Sequence, residues 1–129
     1  MPNEGTPAMT QGIFALLYSR LGDSEKAFHF FKDAYVPNLN PPFNVIAETK
    51  GGTNPYFATG AGGILQALLN GFGGLEITSN GITQIKSSLP TQWKSITITG
   101  VGPFKKTFIV KWKKATAYLI KYKLQQTIA

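Results

Sequence analysis

Glu48 is the residue of this sequence best placed for acid–base chemistry. It stands in Pro42-Phe43-Asn44-Val45-Ile46-Ala47-Glu48-Thr49, an irregular stretch that runs on through Asn54-Pro55-Tyr56-Phe57-Ala58 to Thr59-Gly60-Ala61-Gly62-Gly63 and an apolar helix expected over 64–72. A carboxylate on such a loop can move a proton, and glycines opening a helix present unpaired backbone N–H groups. Side chain and backbone donors could then converge on one small polar ligand, as functional loops on rigid scaffolds do. The residues leave a second reading open: a solvated loop carboxylate beside glycines that only allow close helix packing.

The elements that must hold this stretch are legible on both sides. Thr6-Pro7 can cap and begin a helix carrying Met9, Ile13, Leu16, Leu17 and Leu21 at helical spacing, ended by Gly22. Asp23 or Ser24 caps a second helix whose Ala27, Phe30, Phe31, Ala34 and Tyr35 form a buried stripe stopped by Pro37, so the two make an αα-hairpin. Tyr18 and Phe28 widen the apolar surface beyond one stripe, which implies more than one packing neighbour. His29 has no carboxylate or nucleophile beside it in this reading and is taken as a packing or surface residue. From 36 to 63 the chain reads as a long loop, too rich in large apolar groups to be a disordered linker.

After Gly74 the period changes to two. Leu75–Thr78 and Ile82–Ile85 flank Ser79-Asn80-Gly81, a hairpin signal, and strands are expected over 93–99, 107–112 and 118–124, with turns at Gly100-Val101-Gly102-Pro103 and Lys113-Lys114-Ala115. Consecutive antiparallel strands of this kind form part of a sandwich. The chain shows no repeat or low-complexity segment.

Composition excludes several classes. The 129 residues, 43% hydrophobic and 15% charged, fit one ordinary soluble globular unit. No apolar run approaches the roughly 18 residues of a membrane span, and no basic-then-apolar signal peptide opens the sequence. With no cysteine and one histidine, neither a disulfide nor a usual zinc site is expected; no metal or cofactor is implied. The net charge of +7 is split: all six acidic residues precede Ile77, opposed there by four cations, while nine lysines and no carboxylate follow. Because those nine are all lysine, a solvated strand surface is favoured over nucleic-acid recognition, which usually brings in arginine forks.

The order Met9–Leu21, Leu21-Gly22-Asp23, Tyr35-Val36-Pro37, Pro41-Pro42-Phe43-Asn44-Val45-Ile46-Ala47-Glu48, Phe57-Ala58-Thr59-Gly60-Ala61-Gly62-Gly63-Ile64-Leu65-Gln66 and Asn70-Gly71-Phe72-Gly73-Gly74-Leu75-Glu76-Ile77 resembles the C-terminal end of glycoside hydrolase family 65. That family includes acid trehalases, kojibiose hydrolases and disaccharide phosphorylases. The resemblance implies an α+β chain, in which residues 1–74 are the last helices of a six-hairpin α/α barrel and 75–129 a C-terminal antiparallel, sandwich-like β-sheet domain. It implies that Glu48 is the general base of an inverting hydrolase acting on trehalose- or kojibiose-like α-linked glucose disaccharides. Inversion needs two carboxyl groups about 6.5–9.5 Å apart. No second carboxylate here is well placed, so the general acid is expected from a missing upstream barrel.

The phosphorylases of the family hold phosphate with a His and small hydroxyl residues before the glycine-containing helix. Here Phe57-Ala58-Thr59-Gly60 occupies that stretch, and a carboxylate at Glu48 would repel phosphate, so hydrolysis is favoured. Thr59, Gly60, Gly62 and Gly63 are candidates for shaping the substrate or water pocket, with a plain helix-opening turn as the alternative. Phe43, Tyr56 and Phe57 suit either sugar stacking or a core. The expected partners are an oligosaccharide or disaccharide and the upstream barrel, or a second copy through exposed apolar helix faces; no nucleic acid or membrane is expected. The parent could be periplasmic or secreted, which these residues leave open. The competing class is a non-catalytic carbohydrate-binding or interaction module.

Overall fold

Helices and sheet-forming segments share one aromatic core in the computed structural model, which describes residues 6–53 and 57–114. Helix α1 (Ala8–Arg20) ends where Gly22, at φ +81°, reverses the chain. The N–H groups of Gly22 and Asp23 close back onto the carbonyls of Ser19 and Tyr18. The Asp23 carboxylate accepts from the N–H of Lys26 and starts α2 (Ser24–Tyr35), giving the αα-hairpin read from the sequence. Pro7, rather than Thr6, is the residue before α1, and its side chain offers no cap.

The buried face of α1 is not the stripe of large residues. Ala8, Gln11, Gly12, Ala15 and Ser19 are buried, whereas Met9, Ile13, Leu17 and Leu21, expected inside, are exposed together with Phe14. Small residues win because they let a third helix, α3 (Ala58–Gln66), approach at backbone distance. A Cβ added at Gly12 would stand 2.7 Å from the Gly63 carbonyl carbon, and one at Gly63 would stand 3.3 Å from the Met9 Cα. On α2 the expectation largely holds: Ala27, Phe31 and Ala34 are buried, with Phe30 and Tyr35 partly so.

The segment read as a long loop contains structure of its own. A 3₁₀ turn, Val36–Asn38, leads into β1 (Leu39–Asn40), which pairs antiparallel with β2 (Val45–Ile46). Helix α3 begins six residues earlier than expected, so the glycine cluster lies within it, and it continues as a π-helical turn over Ala67–Phe72. That turn delivers Phe72, fully buried, to a cluster in which Phe31, Phe72 and Trp93 meet edge to face and Phe28 packs on Trp93. Leu89 and Val110 complete this core from the strand-bearing half.

Strands β3 (Leu75–Thr78) and β4 (Gly81–Gln84) form the expected hairpin, and β5 (Ser95–Val101) pairs with β6 (Lys106–Lys111). Among the described residues these are three separate two-stranded antiparallel sheets. The strand expected over 118–124, residue Ala115 of the last turn, and Tyr56 lie outside the described residues. Arg20 ties the halves together: Nε donates to the Asn70 carbonyl at 2.7 Å, Nη2 to the Leu75 carbonyl at 3.3 Å, and Nη1 pairs with the Glu76 carboxylate. No helix among the described residues is long and apolar enough to cross a membrane.

Candidate functional site

Two helix N-termini converge on the backbone that carries Glu48. The N–H of Ala8, first residue of α1, donates to the Glu48 carbonyl at 2.8 Å. The N–H of Phe57, immediately before α3, donates to the Ile46 carbonyl at 2.9 Å. Both are amides that a helix leaves unpaired at its start, so Glu48 and Ile46 serve as main-chain caps where Pro7 and Phe57 supply no side-chain cap. Upstream, the N–H of Ala47 donates to the Asn38 carbonyl at 2.8 Å; downstream, Thr49 and Gly52 close a turn whose Gly52 carbonyl accepts from Asn40 Nδ2 at 2.9 Å. The Glu48 carbonyl and the backbone on either side of it are thereby tied down without use of the Glu48 side chain.

The side chain itself is half-buried. Each other described carboxylate is engaged: Asp23 caps α2, Glu25 accepts from the Thr91 N–H, Asp33 lies 3.4 Å from His29 Nε2, and Glu76 pairs with Arg20. Among the described residues only the Glu48 carboxylate has no hydrogen-bond or ion-pair partner. A held backbone with an uncommitted carboxylate is suited to taking a proton from a bound water or hydroxyl. His29, expected to lack a carboxylate neighbour, has Asp33 one turn along α2, a spacing of four that brings side chains together on a helix.

The glycine candidates sit in two environments. Thr59 and Gly62 are exposed, while Gly60 and Gly63 are buried against α1. A Cβ at Gly60 would stand 2.9 Å from the Ala8 Cβ and 3.4 Å from Ile46 Cγ2, so Gly60 lets α3 close on the residues that hold Glu48. The Gly60 N–H lies in the first turn, where helix amides remain available; from Ala61 onward they are committed, beginning with Ala61 N–H to the Phe57 carbonyl. Phe43 is exposed and Phe57 half-buried. Sequence reasoning did not single out Asn38 or Asn40. Their only signal was two amide side chains on either side of Leu39, just before Pro41-Pro42. No group of three or more His, Cys, Asp and Glu residues suited to a metal occurs among the described residues.

No protein-family model matches the chain. Individual relatives do. It is 81% identical over 111 residues to a protein of Mucilaginibacter mallensis named kojibiose hydrolase, covering 86% of this chain and 16% of that protein. A Flavobacterium johnsoniae protein of the same name is 67% identical over 111 residues, 85% of this chain and 16% of the relative. A Danio rerio protein named protein-glucosylgalactosylhydroxylysine glucosidase is 35% identical over 96 residues, 74% of this chain and 14% of the relative. The chain thus spans 16% of the length of each bacterial relative.

Proposed function

We propose, for a chain that corresponds to the C-terminal region of a glycoside hydrolase family 65-like enzyme, that Glu48 is the general base of an inverting hydrolysis of α-linked glucose disaccharides of the kojibiose or trehalose kind. The observation that carries this reading is the uncommitted, half-buried Glu48 carboxylate on a backbone anchored by the starts of α1 and α3. In the reaction, Glu48 takes a proton from a water on the face of the sugar opposite the leaving group, and that water attacks the anomeric carbon. A second carboxylic acid donates a proton to the departing glycosidic oxygen. The remaining described carboxylates have partners of their own, which supports an acid supplied by the longer protein.

The same reading accounts for the inverted helix α1. Met9, Ile13 and Leu17 repeat every four residues along its outer side, with Phe14 and Leu21 beside them, Leu65 exposed on α3 and Leu69 on the π-helical turn that follows it. Such a stripe suits a further layer of helices, as in an α/α barrel, supplied by the longer protein. Thr59 and the Gly60 amide, on the first turn of α3, would border the substrate pocket, while Gly63 and Gly60 serve the helix crossing.

The test is a chimera: the Mucilaginibacter mallensis kojibiose hydrolase carrying this chain in place of the 111 residues it matches. Loss of a positioned base is expected to lower kcat by about 10²–10⁴-fold in Glu48→Gln. A Glu48→Gln chimera within a few-fold of the parent chimera on kojibiose would overturn the assignment.

A further inference from the structure

The β5–β6 hairpin presents a surface that hydrolysis at Glu48 does not use. Lys94, Lys105, Lys106, Lys111, Lys113 and Lys114 are exposed on or beside it, and no carboxylate follows Glu76 in the sequence. None of the six is in an ion pair among the described residues. Ile96, Ile98, Phe108 and Val110 turn inward, which leaves Ser95 opposite Lys111 and Thr97 opposite Ile109 on the outer face, continued by Thr99 and Thr107. The result is a strip of hydroxyl groups with Lys111 on it and Lys105 and Lys113 exposed at its ends, whereas Lys94 and Lys106 alternate to the side of Ile96 and Phe108.

We propose that this outer face binds an anionic polysaccharide. The lysines lie against its carboxylate or sulfate groups, and the Ser and Thr hydroxyls exchange hydrogen bonds with sugar hydroxyls. Three features favour a glycan over other polyanions. Lysine is a point charge without the bidentate fork that reads phosphate and base edges. The strip carries no aromatic ring for base stacking. The hairpin tip offers one highly exposed apolar side chain, Phe104, where an interfacial membrane anchor needs a broad apolar face. The proposal is independent of the role of Glu48.

The experiment measures binding of the 129-residue chain to alginate by titration calorimetry, with neutral dextran, double-stranded DNA and phosphatidylserine vesicles as comparators. Binding to alginate and not to dextran is expected, weakening by about tenfold or more when salt is raised from roughly 50 to 200 mM. The triple variant Lys105→Glu/Lys111→Glu/Lys113→Glu is expected to lose at least tenfold in affinity, and Lys111→Gln alone a smaller part, while circular dichroism stays unchanged. Ser95→Val/Thr97→Val, which leaves the charge intact, is expected to weaken alginate binding several-fold. Absence of alginate binding at low salt, indifference to both lysine variants, or equal or tighter binding to DNA or vesicles overturns the proposal.

Discussion

Adding one methyl group at Gly12 tests the helix crossing that holds the site together. In Gly12→Ala the new Cβ would stand 2.7 Å from the carbonyl carbon and 2.9 Å from the carbonyl oxygen of Gly63. Against an optimal carbon separation of about 3.5 Å, the shortfall is about 0.8 Å. The opposing atoms are backbone, so no rotamer change relieves it; α1 and α3 must part. Overpacking of this sort costs about 1–3 kcal/mol, and a contact with main chain belongs near the upper end. Alanine recovers about 1 kcal/mol of helix propensity over glycine, leaving a net loss of about 1–2 kcal/mol. Gly62→Ala is the matched control: it lies in the interior of α3, is exposed, and its added Cβ meets nothing within 4 Å. There the propensity gain stands alone, so about 1 kcal/mol of stabilisation is expected. Thermal unfolding followed by circular dichroism should place Gly12→Ala about 3–8 °C below the parent and Gly62→Ala about 3–4 °C above it. A Gly12→Ala chain as stable as the parent, or shifted upward like Gly62→Ala, would refute the close crossing.

Two other outcomes are expected. Arg20→Ala removes one ion pair and two hydrogen bonds to main-chain carbonyls that join α1 to the π-helical turn and β3. Because Arg20 and Glu76 are partly exposed, a loss of about 1–2 kcal/mol is expected from urea unfolding, with Arg20→Lys recovering less than half; an unchanged midpoint would remove Arg20 as the clamp. The exposed stripe on α1 should make the isolated chain self-associate, and Ile13→Lys/Leu17→Lys, at positions 41% and 48% exposed, should return it to monomer. A stable monomer of the unsubstituted chain in size-exclusion chromatography coupled to light scattering would refute this.

Local chemistry made most of the elements legible. Gly22 and Asp23 encode the reversal between α1 and α2 through a left-handed φ and a side-chain cap, each settled within a few residues. Asn80-Gly81 encodes the β3–β4 turn in the same way, and the period-two segments after Ser95 give β5 and β6 to within two residues. Glu48 stood out as a candidate because a carboxylate in a proline- and glycine-marked segment is a local feature.

What surrounds Glu48 was decided at long range. Its backbone is fixed by Ala8, 40 residues away in sequence, and its turn by Asn40, through hydrogen bonds that no periodicity announces. The β1–β2 pair was hidden because two-residue strands are too short to show alternation. Only the tertiary structure revealed which side of α1 is buried. By hydrophobicity Met9, Ile13 and Leu17 should turn inward, but Gly12 and Ala15 permit the nearer approach of α3 and α2, and closeness of backbone to backbone, which depends on the partner helix, decided the face.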